Sequence, residues 1–391
     1  MLLGRYSHST GIETNLFEDL TGDRPNVVRA LRAAGYRTCH IGKTHLATGS
    51  QTVERFDRLG FEDSIPTAGK IGAASANGDD AYIRYLREKG VFEEFSEDYV
   101  ERRARRARTL GDAHPSVLAL EDYHDEWISR QADAWLQAHD GRRPFYLSVN
   151  WAGPHAFRDA PGEYASMYDP KDMDPPIDDP MELAPAPLRK RREETLARLQ
   201  ADDWRKLRAS YYGMLSLIDD GIGRLLKTLE NLGRIDNTLI IYTADHGEML
   251  CDHGLVYKTA MYEPAAGVPL IIRGPGCARN IRPRSPVSLV DLSPTLLAAA
   301  GAPSLEDAHG CSLMPVLSGE KDDREQTFSE FQRTCMIRRG PWKYVCDPQW
   351  DVNQLFHIED DPTECRNRIR EAPDIARDLH ARIDAWLAGT P

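Results

Sequence analysis

Residues 238–275 read TLIIYTADHGEMLCDHGLVYKTAMYEPAAGVPLIIRGP, and this stretch decides the predicted fold. Its opening run, 238–243, is apolar and β-branched, which predicts a short buried strand. The strand stops at Asp245 and His246, a pair that offers a hard oxygen and a neutral nitrogen to one divalent cation. Because open α/β sheets bind ligands beyond the carboxyl ends of their strands, the pair predicts a metal site at the mouth of this strand.

A second apolar run, 268–272, follows the metal pair after a loop. The run ends at a Gly-Pro-Gly sequence, 274–276, which is a turn signal. The loop between the two predicted strands contains His253 and Lys258. We therefore predict that this loop lies over the metal pair.

The order ADHGEML, DHG, a lysine, MYEP and VPLIIRGPG in this stretch resembles the metal-binding segment of the sulfatases. Sulfatases belong to the alkaline-phosphatase-like superfamily of metal-dependent hydrolases. The resemblance implies an α/β fold, with a mixed sheet flanked by helices on both faces and a smaller C-terminal antiparallel sheet plus helix. It further implies a catalytic domain over 1–320 that is incomplete at its N-terminus, and a small C-terminal subdomain over 321–391.

Residues 1–14, MLLGRYSHSTGIET, resemble the sulfatase segment LLTGRYPHRTGV, which follows the family's Cys-x-Pro-Ser-Arg motif. The resemblance implies that the formylglycine or alkoxide nucleophile, and the first metal-binding strand, lie upstream of Met1. We therefore expect the chain as numbered to be inactive and of low stability by itself. We also expect it to bind metal weakly, because Asp245 and His246 are only two of the six to eight ligands that Ca²⁺ takes.

Two more strands are each followed by candidate anion-binding residues. A strand over 36–41 precedes Lys43 and His45 in the sequence GKTHL, where the family has GKWHLG. Residues two apart beyond a strand end can point to the same side. A strand over 144–151 precedes His155 in the sequence AGPH, which is close to the family's APH segment.

The resemblance implies a role for each of these residues in the hydrolysis of a small anionic ester. Lys43, His155 and Lys258 would hold the non-bridging oxygens of the ester, and His45 would contact or deprotonate the nucleophile. Asp245 and His246 would bind the metal, Ca²⁺ in the first place, with Mg²⁺ or Mn²⁺ as alternatives. Cationic and imidazole groups around a metal pair are what an anionic transition state requires.

Elsewhere the sequence predicts mostly helices and loops. Helices are predicted in five further segments, and a C-terminal hairpin with a turn at Gly340 precedes the last of them. The helices are expected at 23–34, 125–138, 193–232, 289–301 and 372–387. Residues 68–115 are charged and are predicted to be an irregular insertion that shapes the substrate pocket, with the basic run 102–106 as a solvated helix face. The proline-rich residues 154–187 predict an extended loop.

Composition excludes some partners and leaves others open. A net charge of −12 argues against a nucleic-acid partner. No apolar run approaches the roughly 20 residues of a membrane helix, so no membrane partner is expected. The 7 cysteines are scattered without close pairs, which favours a reducing compartment such as the cytoplasm and leaves the periplasm open. A homo-oligomer is also left open.

Two other functions remain compatible with the sequence. Phosphodiesters and phosphonate monoesters present a similar tetrahedral anion to the same fold, so a hydrolase of these esters is the nearer alternative. The second alternative is a non-catalytic remnant that has lost its nucleophile, or a fragment from a misplaced start codon. Reading the DNA upstream of Met1 for the nucleophile motif would discriminate between these two possibilities.

Overall fold

The computed structural model describes residues 1–12, 24–46, 52–74, 79–111, 113–320 and 324–389. The strands are β1 (Arg37–Lys43), β2 (Asp63–Thr67), β3 (Phe145–Asn150), β4 (Ile240–Thr243), β5 (Leu270–Arg273), β6 (Gln326–Phe331), β7 (Thr334–Arg339), β8 (Trp342–Cys346) and β9 (Gln354–His357). The α-helices are α1 (Ser7–Thr10), α2 (Val27–Ala33), α3 (Thr52–Leu59), α4 (Gly69–Ala73), α5 (Ala81–Lys89), α6 (Phe92–Arg106), α7 (His124–Ala138), α8 (Ala186–Leu196), α9 (Asp203–Asn231), α10 (Glu263–Ala266), α11 (Leu292–Ala299), α12 (Met314–Leu317) and α13 (Pro373–Gly389).

A parallel sheet in the order β2-β1-β3 lies at the centre of the fold. In its register, Lys43 at the end of β1 is opposite Thr67 of β2, and Gly42 is opposite Asn150 of β3. The carboxyl ends of the three strands therefore meet at one edge, where α/β folds bind their ligands. The chain segments that follow β1 and β3 both begin at this edge.

Helices cover both faces of the central sheet, as predicted. Cys39 and Ile41 of β1 point to one face, where they pack in an apolar core with residues of α5, α6, α7 and α9. His40, between them, points to the opposite face, where its ring contacts Phe56 and Phe61. Those two rings belong to a second core with residues of α2 and α11. The alternation follows from the two-residue period of a strand.

The burial of His40 in this second core makes the stability of the chain depend on pH. Burial lowers the pKa of His40 from 6.5 to about 4, although its ring bonds the Gly42 carbonyl. The unfolded chain therefore binds a proton between pH 6.5 and 4 that the native chain does not bind, so stability falls as the pH falls through this window. We expect this histidine to cost about 2–3 kcal/mol of unfolding free energy between pH 7 and 4.5.

Urea unfolding of the wild type and His40→Asn at pH 7 and 4.5 measures this effect. The variant should lose less stability on acidification than the wild type, because asparagine does not titrate in this range. His380→Asn is the control, since the His380 side chain is 48% exposed. An equal loss of stability in the wild type and His40→Asn would contradict the expected burial of a neutral imidazole.

The segment from β4 to β5 forms a two-stranded antiparallel sheet, with Ile241 opposite Ile272. The strand β4 is shorter than the predicted run 238–243, and its residues are half-buried rather than fully buried. Within the described ranges β5 is its only hydrogen-bonded neighbour. The C-terminal strands form a separate antiparallel sheet in the order β6-β7-β8-β9, with the predicted hairpin between β7 and β8. The helix α13 packs on this sheet, as predicted.

Two of the predictions outside the sheets are wrong. Most of 68–115 is helical rather than irregular, because α5 and α6 present aromatic and aliphatic side chains to the first core. The predicted helix 193–232 is two helices, α8 and α9. The Asp203 carboxylate accepts from the amide of Gln200, and the carbonyl of Arg198 accepts from the amide of Leu110. These contacts hold the backbone out of the helical path. No helix in the described ranges is both long and apolar enough to cross a membrane.

Candidate active site

Lys43 and His45 lie at the carboxyl end of β1. The strand extends to Lys43, beyond the predicted end at residue 41, because Gly42 and Lys43 continue the ladder with β2. Gly42 has a φ of 108°, and a Cβ there would lie 2.1 Å from the Asn150 carbonyl oxygen, so the strand can end this way only with glycine. Lys43 is half-buried and His45 is exposed.

His155 follows β3 in a loop that the helix α7 holds in place. The buried carboxylate of Asp125 accepts from the amides of Ala152 at 2.7 Å and Gly153 at 3.0 Å. His155 Nδ1 lies 2.8 Å from the carbonyl oxygen of Ala156. A carbonyl oxygen only accepts, so Nδ1 carries the proton and Nε2 is left for a ligand. The loop therefore presents one defined nitrogen of the ring.

The electrostatics of Lys43, His45 and His155 show that positive charge is concentrated at this edge. Burial, followed by the charges of Lys43 and Lys258, lowers the pKa of His155 from 6.5 to about 3. The same causes lower the pKa of His45. The pKa of Lys43 is also lowered, by burial and by Lys258, although the carboxylate of Asp245 opposes the shift. Lys258 thus acts on groups at the ends of two different strands.

Neither ammonium group at this edge has a carboxylate partner in the described ranges. Lys43 and Lys258 are both half-buried, and neither makes an ion pair or a side-chain hydrogen bond there. Partly desolvated cations without a counter-ion are unfavourable unless a ligand supplies the negative charge. A lysine with a lowered pKa, such as Lys43, marks a candidate functional site. The arrangement can bind an anion.

Asp245 and His246 follow β4 with a geometry that suits a shared cation. His246 Nδ1 lies 2.8 Å from the Gly247 carbonyl oxygen, so it carries the proton and Nε2 is free to bind a metal. His246 Nε2 lies 3.5 Å from Asp245 Oδ2. Two ligand atoms at this separation can both reach one cation at metal–ligand distances of about 2.0–2.6 Å. The residues fit a divalent metal site with one oxygen and one nitrogen ligand.

The structure only partly confirms that the loop after β4 lies over this site. Lys258 lies close enough to His155 and His45 for its charge to contribute to their lowered pKa values. His253 does not face the site, because its ring is fully buried and stacks on Tyr262 with centroids 4.1 Å apart. His253 Nδ1 lies 3.1 Å from Asp179 Oδ2. The histidine therefore holds the loop against the core and does not reach the site.

Comparison with known families shows to which family this chain belongs. The sequence profile of the sulfatase family matches residues 1–302. This chain belongs to the sulfatase family. A second profile, the C-terminal region of N-sulphoglucosamine sulphohydrolase, matches residues 251–388. Sulfatases generally use a divalent metal and a formylglycine, and the Asp245–His246 pair suits the former.

The curated relatives of this sulfatase-family chain include arylsulfatase K from several vertebrates. The bovine protein is 37% identical over 196 residues, which are 46% of this chain and 36% of that protein. The human protein is 34% identical over 200 residues, 47% of this chain and 37% of that protein. The matched part thus spans little more than a third of these relatives, so their activity reaches this chain only as a proposal.

Solved structures show that this chain shares its fold with sulfatases and phosphonate monoester hydrolases. Phosphonate monoester hydrolase from Silicibacter pomeroyi superposes with a TM-score of 0.82 at 23% identity, covering 100% of this chain and 85% of that chain. The enzyme of the same name from Agrobacterium radiobacter gives 0.75 at 20% identity, with 100% and 85% covered. A 2-O GAG sulfatase gives 0.69 at 19% identity, with 100% and 80% covered. At these identities the likeness establishes the fold alone.

The sequence did not reveal the buried residues that hold the loops of the candidate site in place. Lys70, which is buried, donates to the carbonyl of Phe157 at 3.1 Å and to the hydroxyl of Tyr123 at 2.8 Å, and it pairs with the buried Asp159. Phe157 lies two residues after His155, so the pair fixes the loop that carries the imidazole. No periodicity or motif in the charged segment around Lys70 indicated this contact.

Proposed function

We propose that this protein hydrolyses the sulfuric ester bond of a small anionic substrate at the edge where β1, β3 and β4 end. The proposal rests on Lys43 and Lys258, two ammonium groups beside the Asp245–His246 pair that have no carboxylate partner among the residues the structure describes. Together they combine an anion-binding cluster with a metal-binding pair. Membership of the sulfatase family and the arylsulfatase relatives support the choice of sulfate.

Lys43, Lys258 and His155 would hold the non-bridging oxygens of the ester. The two ammonium groups can donate hydrogen bonds to these oxygens. His155 is neutral in the free protein and offers only a lone pair at Nε2, so it can donate to the ester only after it takes up a proton. The negative charge of the substrate favours that uptake. Substrate binding and protonation of His155 are therefore coupled.

His45 would act on the nucleophile. Its lowered pKa leaves the imidazole neutral near pH 7, which is the form that accepts a proton. It is exposed at the end of β1, next to Lys43, so it can reach a group that enters from the solvent side. The nucleophile we propose is the formylglycine that is general in the family.

The metal we propose for Asp245 and His246 is Ca²⁺. When bound, it supplies positive charge that neutralises the oxygens of the ester and of the nucleophile. Asp245 provides the hard oxygen that Ca²⁺ prefers, and the carbonyl of Gly247 fixes the His246 ring so that Nε2 faces the carboxylate.

The test is an assay of the whole gene product with three 4-nitrophenyl esters: a sulfate, a phosphonate monoester and a phosphate. We expect the highest kcat/KM for the sulfate, loss of activity in a chelator, and recovery on addition of Ca²⁺. Asp245→Asn should need about 10- to 100-fold more Ca²⁺ for half-recovery, because it weakens a metal ligand. Asp236→Asn is the control, since the Asp236 side chain is 95% exposed just before β4.

Each other outcome of this assay has a defined meaning. A higher kcat/KM for the phosphonate monoester would replace the sulfate assignment by the alternative that the fold also admits. Turnover of none of the three esters, with Ca²⁺ present, would overturn the proposed hydrolase function. Full activity in the chelator would refute the metal site.

A further inference from the structure

The basic run 102–106 at the end of α6 is not one solvated face, because its arginine side chains differ in burial and in their contacts. Arg102 is buried and donates to two backbone carbonyls of the following segment. Arg105 pairs with Glu101, one helical turn earlier on the same helix. Arg106 is the last residue of α6, and its side chain turns toward the loops that follow β3 and β4.

The guanidinium of Arg106 stacks on aromatic rings and lacks an acidic partner. Its central carbon lies 4.8 Å from the centre of the Tyr257 ring and 5.7 Å from that of Phe157. In the described ranges it makes no ion pair and no side-chain hydrogen bond. Stacking fixes the plane of the group and leaves its edge, with the N–H donors, unused. The C-terminal end of a helix dipole favours a cation, which would explain an arginine at this position. It would not explain why the guanidinium stacks on the two rings.

A small cavity lies at this guanidinium, and two of its lining residues are the sequence neighbours of candidate active-site residues. Arg106, Phe157 and Tyr257 line it, together with Ala156. Ala156 directly follows His155, and Tyr257 directly precedes Lys258, so two walls of the cavity adjoin the anion-binding residues. Its volume of about 30 Å³ is room for about two water-sized atoms, which suits a small polar substituent and not a ring.

The charge balance of the cavity favours a negatively charged occupant. Its one acidic residue in the described ranges, Glu248, is already neutralised by the guanidinium of Arg158 at 2.8 Å. The other oxygen of Glu248 accepts from the amides of Leu250 and Tyr257. Arg106 therefore remains as a positive charge without an acidic partner among the described residues, in a protein whose net charge is −12.

We propose that Arg106 forms a second anion subsite, which binds a small oxyanion on the alcohol part of the sulfate ester. This inference rests on the proposed sulfatase function and narrows its substrates to esters whose leaving group carries a carboxylate or a second sulfate. The planar fork of the guanidinium matches two oxygens of such a group, and the stacked rings hold it in place. Lys43, His155 and Lys258 bind the reacting sulfate, and Arg106 binds the charged substituent on the alcohol part of the ester.

The test compares matched substrates on the whole gene product. These are 4-nitrophenyl sulfates that carry a ring carboxylate, the methyl ester of that carboxylate, or a second sulfate. Arg106→Met should lower kcat/KM for the charged substrates by about 10- to 100-fold, the scale of a lost charge-assisted hydrogen bond. It should leave the methyl ester within about three-fold. The larger of the two losses identifies the preferred oxyanion.

Arg105→Met is the matched control, because Arg105 is the preceding residue of the same helix and pairs with Glu101. It should leave all three substrates within about two-fold. Equal effects of Arg106→Met on the charged substrates and the methyl ester, or no effect on any, would refute the subsite while leaving the sulfatase proposal intact. If no ester is turned over, calorimetric binding of the carboxylate-bearing phenol decides: unchanged affinity in Arg106→Met overturns the subsite.

Discussion

Replacement of His155 or Lys258 by alanine should lower kcat/KM for an aryl sulfate on the order of 10²-fold or more, the scale of one lost transition-state donor. Both side chains come from loops at the edge of the central sheet, and the charge of Lys258 contributes to the lowered pKa of His155. The sulfate oxygens carry negative charge while the ester bond breaks, and Lys258 donates to them without reorganisation. His155 donates to them once it has taken up a proton together with the anion.

The measurement is steady-state kinetics of the whole gene product with 4-nitrophenyl sulfate between pH 5 and 9. The matched controls are His380→Ala and Lys227→Ala, whose wild-type side chains are 48% and 68% exposed. Inhibition by inorganic sulfate should weaken as the pH rises in the wild type, because His155 binds a proton together with the anion. His155→Ala should remove that contribution. Rates within a few-fold of the parent in both variants would show that the anion-binding residues are assigned wrongly.

Replacement of Lys343 by methionine should destabilise the protein by about 3–5 kcal/mol, because it would leave a buried charge without its partner. Lys343 is completely buried in β8 and lies 2.9 Å from Glu263 and 2.8 Å from the buried Glu364. Glu364 also accepts from the amide of Glu263. The triad joins the C-terminal sheet to the segment that returns from the active-site loop to β5.

Urea unfolding at pH 7 gives the free energy that checks this prediction. The double variant Lys343→Met with Glu364→Gln should recover part of the loss, because it removes the carboxylate left unpaired. Lys227→Met is the control for a lost surface pair, and it should cost at most about 1 kcal/mol, since Lys227 contacts Glu230 on an exposed helix face. A cost of 1 kcal/mol or less for Lys343→Met would mean that the triad is not what fixes the C-terminal sheet.

The sequence predicted the strands and the site residues best where polar motifs end apolar runs. β1, β3 and β4 were placed within two or three residues of their observed bounds, since a short apolar run before a polar motif is a local pattern. The residues at the strand ends followed from the same motifs. The predictions failed where distant contacts decide the backbone, as at the break between α8 and α9 and in the helices of 68–115.

Residues whose role depends on tertiary contacts could not be recognised from local patterns in the sequence. Lys70 lies in a charged segment and Asp125 in the first turn of an amphipathic helix, yet both fix the loop that carries His155. Arg106 belonged to a basic run that resembled a solvated helix face. Its stacking on Tyr257 and Phe157 depends on where two later loops return, which no spacing along the chain encodes.

The sequence by itself determined the family and the strands that end at the candidate site, and it predicted the metal pair, because these depend on residue types in a fixed local order. Only the tertiary structure decided which of these residues act together. His253 and Lys258 lie in one loop, but the first is buried in the core and the charge of the second acts on His155. Glu263, Lys343 and Glu364 lie far apart in the sequence and meet in one triad around the buried ammonium group of Lys343. The physical reason is that burial and charge pairing depend on distances in space, which the order of residues along the chain does not fix.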